Sequence, residues 1–171
     1  MKSHYILDRE GRILEVSGAW DAFAHQNAGD DAVADRVLDR PLWDFVAGDD
    51  VRRHLNALFF AARRSGAPIE TLYRCDAPWE RRLYRLRIEP MRGGALRLEH
   101  ELLSSERLAL NPIAFRKGPG ERCAVCGAVH EMDGWTDPFD APMRHYVYDR
   151  WTVCPACRAA GLREIEAAKA A

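Results

Sequence analysis

Four of the five cysteines fall into two pairs, Cys123-Ala-Val-Cys126 and Cys154-Pro-Ala-Cys157. Each C-x-x-C pair can present two sulfurs along one edge of a tetrahedron. Two such knuckles supply the closed four-thiolate shell of a structural Zn2+ site, with Zn–S distances of about 2.3 Å. A closed shell keeps no open position for water, so the spacing points to a metal that holds structure and not to hydrolysis. Gly127 lets the backbone turn tightly beneath the first pair, and Pro155 with the alanine-rich segment after it puts the second at a helix start. Four reduced free thiols, two disulfides or bound iron are the competing readings of four cysteines. The opening Met-Lys-Ser-His-Tyr-Ile-Leu-Asp returns to charge at once and shows no secretory signal. A reducing cytoplasm is the expected compartment, where paired cysteines favour metal over disulfides. The loop 127–153 is long for a ribbon of this kind and carries Trp135, Phe139, Tyr146, Tyr148 and Trp151, enough aromatic mass for a miniature core. A segment of about 50 residues buries too little surface to stabilise itself well, so a metal staple is physically sensible there. His130 and His145 sit in the same loop, but the four-cysteine set is complete without them, which leaves both as polar loop residues.

The elements that must position these cysteines belong to a chain of 171 residues, 47% hydrophobic and 30% charged. That composition suits an ordinary globular fold and excludes collagen-like and strongly disordered classes. The longest apolar run, Ala57 to Ala62, falls far short of the roughly 20 residues of a membrane span, so no membrane partner is expected. Residues 1–51 hold five Lys/Arg against eleven Asp/Glu, and residues 52–108 hold twelve against seven, a division expected to bring opposite charges face to face. The net charge of −1 and pI near 6.6 argue against a nucleic-acid partner, which favours a basic domain.

Period-two alternation marks strands at Ile69–Asp76, Arg82–Met91 and Ala95–Leu102, with Tyr84, Leu86, Ile88 and Leu96, Leu98, His100 on covered faces. Tyr5-Ile-Leu and Ile13-Leu-Glu-Val flank the turn Asp8-Arg-Glu-Gly-Arg and read as a hairpin. Ser17 is placed to cap a short helix carrying Trp20 and Phe23, and Asp49 to cap a long one ending near Ser65. The long helix has an apolar stripe of Val51, Leu55, Leu58, Phe59 and Ala62. The order predicts an α+β fold: a five-stranded antiparallel sheet with helices on one face, followed by a small zinc-binding C-terminal module. Residues 3–104 form the first unit, 105–122 a connector packed through Leu108, Leu110, Ile113 and Phe115, and 123–171 the zinc-binding module with its C-terminal helix.

Asp8-Arg-Glu-Gly-Arg-Ile-Leu, Trp20-Asp-Ala-Phe-Ala, Arg40-Pro-Leu-Trp-Asp-Phe-Val and Leu72-Tyr-Arg-Cys-Asp-Ala-Pro, in this order and spacing, resemble a PAS sensory domain over residues 3–104. Arg74-Cys-Asp-x-Pro followed by Arg81-Arg82 is similar to a bacterial PAS-like subgroup. Cys123, Cys126, Trp135, Cys154, Pro155 and Cys157 are similar to a cysteine-rich extension of bacterial signalling proteins, although Trp151-Thr-Val stands where that pattern has His-Gly-Ile. The resemblance implies a cytoplasmic bacterial signalling protein, a PAS-type sensor or protein-interaction domain with a structural zinc tail. Its expected partners are a signalling or regulatory protein and a second copy as homodimer. Trp20, Phe23, Trp43 and Phe59 are candidates to line a small-molecule pocket, with Tyr73, Cys75 and His54 beside them. His54 lies where haem-binding PAS domains carry an axial histidine, and Cys75 offers a thiol, so a haem- or thiol-based redox sensor is one alternative. A nucleic-acid-binding zinc protein dimerised by the PAS fold is the other. No G-x-S-x-G, G-x-x-x-x-G-K or G-x-G-x-x-G motif occurs, nor a kinase or cyclase segment, and the chain is expected not to be an enzyme.

Overall fold

A computed structural model of the chain describes residues 2–26, 29–108, 113–132, 134–141 and 145–170, the Gln26 side chain excepted. β1 (Lys2–Leu7) and β2 (Ile13–Val16) form the hairpin, closed by Gly11 at φ +87° with its amide on the Asp8 carbonyl at 3.2 Å. Short helices α1 (Trp20–Gln26) and α2 (Ala34–Val37) lead to the long α3 (Asp49–Ser65). Then come β3 (Ile69–Arg74), β4 (Glu80–Pro90) and β5 (Leu96–Arg107). These strands make one antiparallel sheet in the order β2-β1-β5-β4-β3, with β3 at an edge. The α+β class, five-stranded antiparallel sheet and following four-cysteine segment are those the sequence predicts.

The stripe of α3 faces the sheet as its spacing requires: Leu58, Phe59 and Ala62 are buried against Leu86, Ile88, Leu96 and Leu98. On the opposite sheet face charges pair with one another, Arg87 with Glu70 at 2.8 Å, Arg85 with Glu101 at 3.3 Å and Lys2 with Glu99 at 3.2 Å. The two expected caps differ. Trp20 N–H donates to the Ser17 carbonyl at 2.9 Å, while the Ser17 hydroxyl is buried without a partner among the described residues. At α3 the cap is Gly48, at φ +88° and with no capping side chain, and Asp49 is already helical. A side chain at Gly48 would place Cβ 2.3 Å from the Trp151 carbonyl oxygen. A close backbone approach therefore decides the residue here, ahead of capping chemistry.

Beyond β5 the described residues build six three-residue strands: β6 (Ala114–Arg116), β7 (Glu121–Cys123), β8 (Val129–Glu131), β9 (Gly134–Thr136), β10 (His145–Val147) and β11 (Arg150–Thr152). β10 pairs with β6, and a second sheet runs β11-β7-β8-β9, with β11 parallel to β7. Ile113, Val129 and Tyr146 form a small core with Leu108, Phe115 and Phe139 packed on it; Leu110 lies outside the described residues. The final helix α4 (Pro155–Ala170) returns to the first sheet, and Ala168, 7% exposed, belongs to the same core as Phe59 and Ile88. No helix among the described residues is long and apolar enough to cross a membrane.

Candidate metal centre

The parallel ladder of β7 and β11 brings together cysteines about 30 positions apart in sequence. Cys123 ends β7, and Cys154 follows β11 just before α4. In the first knuckle the Gly127 amide donates to the Cys123 carbonyl at 2.9 Å and the Cys123 amide to the Ala128 carbonyl at 2.8 Å. Gly127 makes this turn at φ +76°, a conformation that favours glycine. Across the ladder the Ala124 amide donates to the Thr152 carbonyl at 2.8 Å, and the Cys154 amide points at Cys123 Sγ at 3.3 Å. The second knuckle is the first turn of α4, where the Cys157 amide lies 3.5 Å from Cys154 Sγ.

All four sulfurs lie within 4.8 Å of one another, with Cys126 Sγ 3.8 Å from Cys154 Sγ. Tetrahedral thiolates about 2.3 Å from a zinc ion sit about 3.8 Å apart, so the donor set fits that ion closely. Cys123 and Cys154 are buried, Cys126 and Cys157 half-buried, and none is in a disulfide. Hydrogen bonds from Cys126 and Cys157 hold the Cys123 pKa well below the usual thiol range. That donation in turn pushes Cys157 far up and Cys126 up to about 12. A divalent cation would displace those protons and satisfy every sulfur at once.

The other candidate residues are not gathered into one site. Trp20 and Phe23 line an apolar cavity of about 270 Å3, together with Tyr5, Ile13 and Val37. Trp43 instead packs on Phe59, their rings 5.9 Å apart, and Phe59 is deep in the core. His54 leaves the sheet side for α4: a Cβ on Gly161 would lie 2.5 Å from its Cε1. Burial lowers the His54 pKa, against the pull of the Cys123 charge. Tyr73 shares a 2.7 Å hydrogen bond with His100 Nδ1. Cys75 lies just past β3, its amide on the Arg82 carbonyl, and burial pushes its thiol up while Arg82 opposes this.

Sequence reasoning missed two features. His100 has a buried Nε2 with no partner among the described residues; its parity with Leu96 and Leu98 was the available signal. The aromatic loop also does more than fill a core. Phe115, Tyr148 and Trp151 surround the Arg122 guanidinium, whose carbon lies 3.9, 5.4 and 5.2 Å from their ring centres. Trp135 stacks on His130 at 5.0 Å. Tyr146 is the member of that set buried as a core residue.

Two solved structures are similar to part of this chain. One is a domain of an HTR-like protein from Haloarcula marismortui, 16% identical, covering 60% of this chain and 98% of its own, with a TM-score of 0.45. The other is the PAS domain of nitrogen regulation protein NR(II) from Vibrio parahaemolyticus, 17% identical, covering 60% and 89%, with a TM-score of 0.40. No family model matches the chain, and no curated protein matches it.

Proposed function

We propose that the chain is a non-catalytic signalling or regulatory protein: a PAS-type sensor or interaction domain whose cysteine segment binds one structural Zn2+ and whose output is contact with another protein. The observation that carries the metal reading is the meeting of Cys123, Cys126, Cys154 and Cys157 within 4.8 Å. The soft four-sulfur set favours zinc over harder cations, and its closed shell supports a structural role. Support for the sensor reading comes from the antiparallel sheet, the helices on its covered face and the wholly apolar cavity at Trp20 and Phe23. A cavity of that lining would take an uncharged, apolar ligand. The haem and thiol alternatives find no support at their named residues, since His54 packs against α4 and burial pushes the Cys75 thiol pKa up, away from the reactive thiolate.

Elemental analysis of protein prepared without chelator is the direct test. One zinc per chain is expected, with Cys154→Ser lowering it to background and Co2+ substitution giving the intense visible bands of a tetrathiolate. Metal-free protein with four titratable thiols would sink the reading.

A further inference from the structure

The segment Arg74-Cys-Asp-Ala-Pro-Trp-Glu-Arg-Arg82, marked out in the sequence, is not explained by the metal shell itself. In the structure it is where the first knuckle is fastened to the sheet. The Arg74 amide, at the end of edge strand β3, donates to the Val125 carbonyl at 2.7 Å. Its guanidinium meets Asp76 at 2.5 Å, and these side chains are only 11% and 3% exposed. The same guanidinium reaches Asp137 at 2.5 Å, and Arg81 reaches Asp137 at 3.2 Å and Asp140 at 3.0 Å. The Phe139 ring lies 5.0 and 5.1 Å from the two guanidinium carbons. The backbone of Gly127 lies against Asp76, so close that a Cβ there would be 3.0 Å from the carboxylate. Val125 and Gly127 are the two neighbours of Cys126.

The second knuckle is fastened elsewhere, to the long helix α3. Thr152 Oγ1 donates to Asp50 Oδ2 at 2.8 Å, Arg158 lies 3.7 Å from the same carboxylate, and His54 packs on Gly161. Cys123 and Cys126 thus belong to a knuckle held by the sheet edge, and Cys154 and Cys157 to one held by α3. The knuckles meet through the three-residue ladder of β7 and β11 and through the sulfur cluster, while α4 itself packs on β3.

We infer that the metal centre is a cross-brace between α3 and the β3 edge, so that metal loading sets how firmly the sheet edge is held to the long helix. The inference rests on the reading of the four cysteines as a metal site and adds a regulatory consequence to it. Linkage makes the coupling reciprocal: whatever moves α3 against β3 changes metal affinity by the same factor. Arg74, Asp76 and Asp137 act here as positioning residues behind the thiolates, where loss of such partners costs about 10–100-fold in affinity.

The test uses the full chain. Amide exchange is compared with Zn2+ bound and after chelation, and zinc release to a chelator is timed in wild type, Asp137→Ala, Arg81→Ala and the distant control Asp44→Ala. Chelation is expected to strip protection from residues 69–74 and leave the β1–β5 pairing protected. Asp137→Ala and Arg81→Ala are expected to keep one zinc per chain yet release it about tenfold faster, with Asp44→Ala at the wild-type rate. Unchanged protection at β3, or wild-type release from both variants, overturns the brace while one bound zinc keeps the metal reading standing. Wild type without zinc removes both.

Discussion

His100 shows how much one side chain can depend on neighbours from other strands. It points to the covered face of the sheet, stacks on Tyr5 at 5.4 Å and bonds Tyr73, and burial holds its pKa down to about 4. Unfolded, the same histidine takes a proton near its ordinary value of 6.5. Between those two pH values the unfolded chain binds more protons than the folded one, so stability falls as pH drops through the window. The loss reaches about 3 kcal/mol at pH 4, from roughly 1.4 kcal/mol per pH unit. Urea unfolding of wild type and His100→Phe across this range should show a clearly flatter profile in the variant; equal slopes would reject the assignment. The sequence placed His100 on the covered face by parity, but its strain depends on the register that sets Tyr5 and Tyr73 around it. The cysteines were legible for the opposite reason, since a C-x-x-C pair states its geometry within four residues.

Among the elements, α3 and the three following strands were readable because each carries a long period, with eleven residues in β4 alone. The six strands of the cysteine segment were not, because three residues are too few to show an alternation. α4 was read as a helix from its alanines, and Gly161 in its interior then looks like a flaw, costing about 1 kcal/mol relative to alanine. The structure gives its reason in the imidazole of His54, which occupies the space of the missing Cβ. Gly161→Ala should therefore lower stability by about 1–3 kcal/mol through overpacking, against its gain in helix propensity. His54→Ala in the same chain should make the alanine tolerable. A thermal melt in which Gly161→Ala alone raises the midpoint would show that α3 and α4 do not meet as described.

At the scale of the molecule, the uneven charge of the sequence resolves differently from the expectation. Among the described residues, the cationic surplus of residues 52–108 forms ion pairs with the acidic first segment in the local pairs Arg52–Asp49 and Arg53–Asp50 at the start of α3, and its buried partners are Asp76 and Asp137. Those two carboxylates lie on either side of the expected connector 105–122, and α4 joins the two sides again by carrying Ile165 and Ala168 into the sheet's core. Order along the chain could not show this, because a terminal alanine in a helix gives no sign of which surface it will meet. The consequence is cooperative. Ala168→Glu puts a carboxylate, three residues from the chain's end, beside the interior that Ile88 and Leu98 fill, and an unpaired buried charge is costly enough to drive local or global opening. Amide exchange is expected to speed up at Ile88 and Leu98 as well as along α4, with one shared unfolding transition. Loss of protection confined to α4, with the five-stranded sheet unchanged, would mean that the two halves unfold independently.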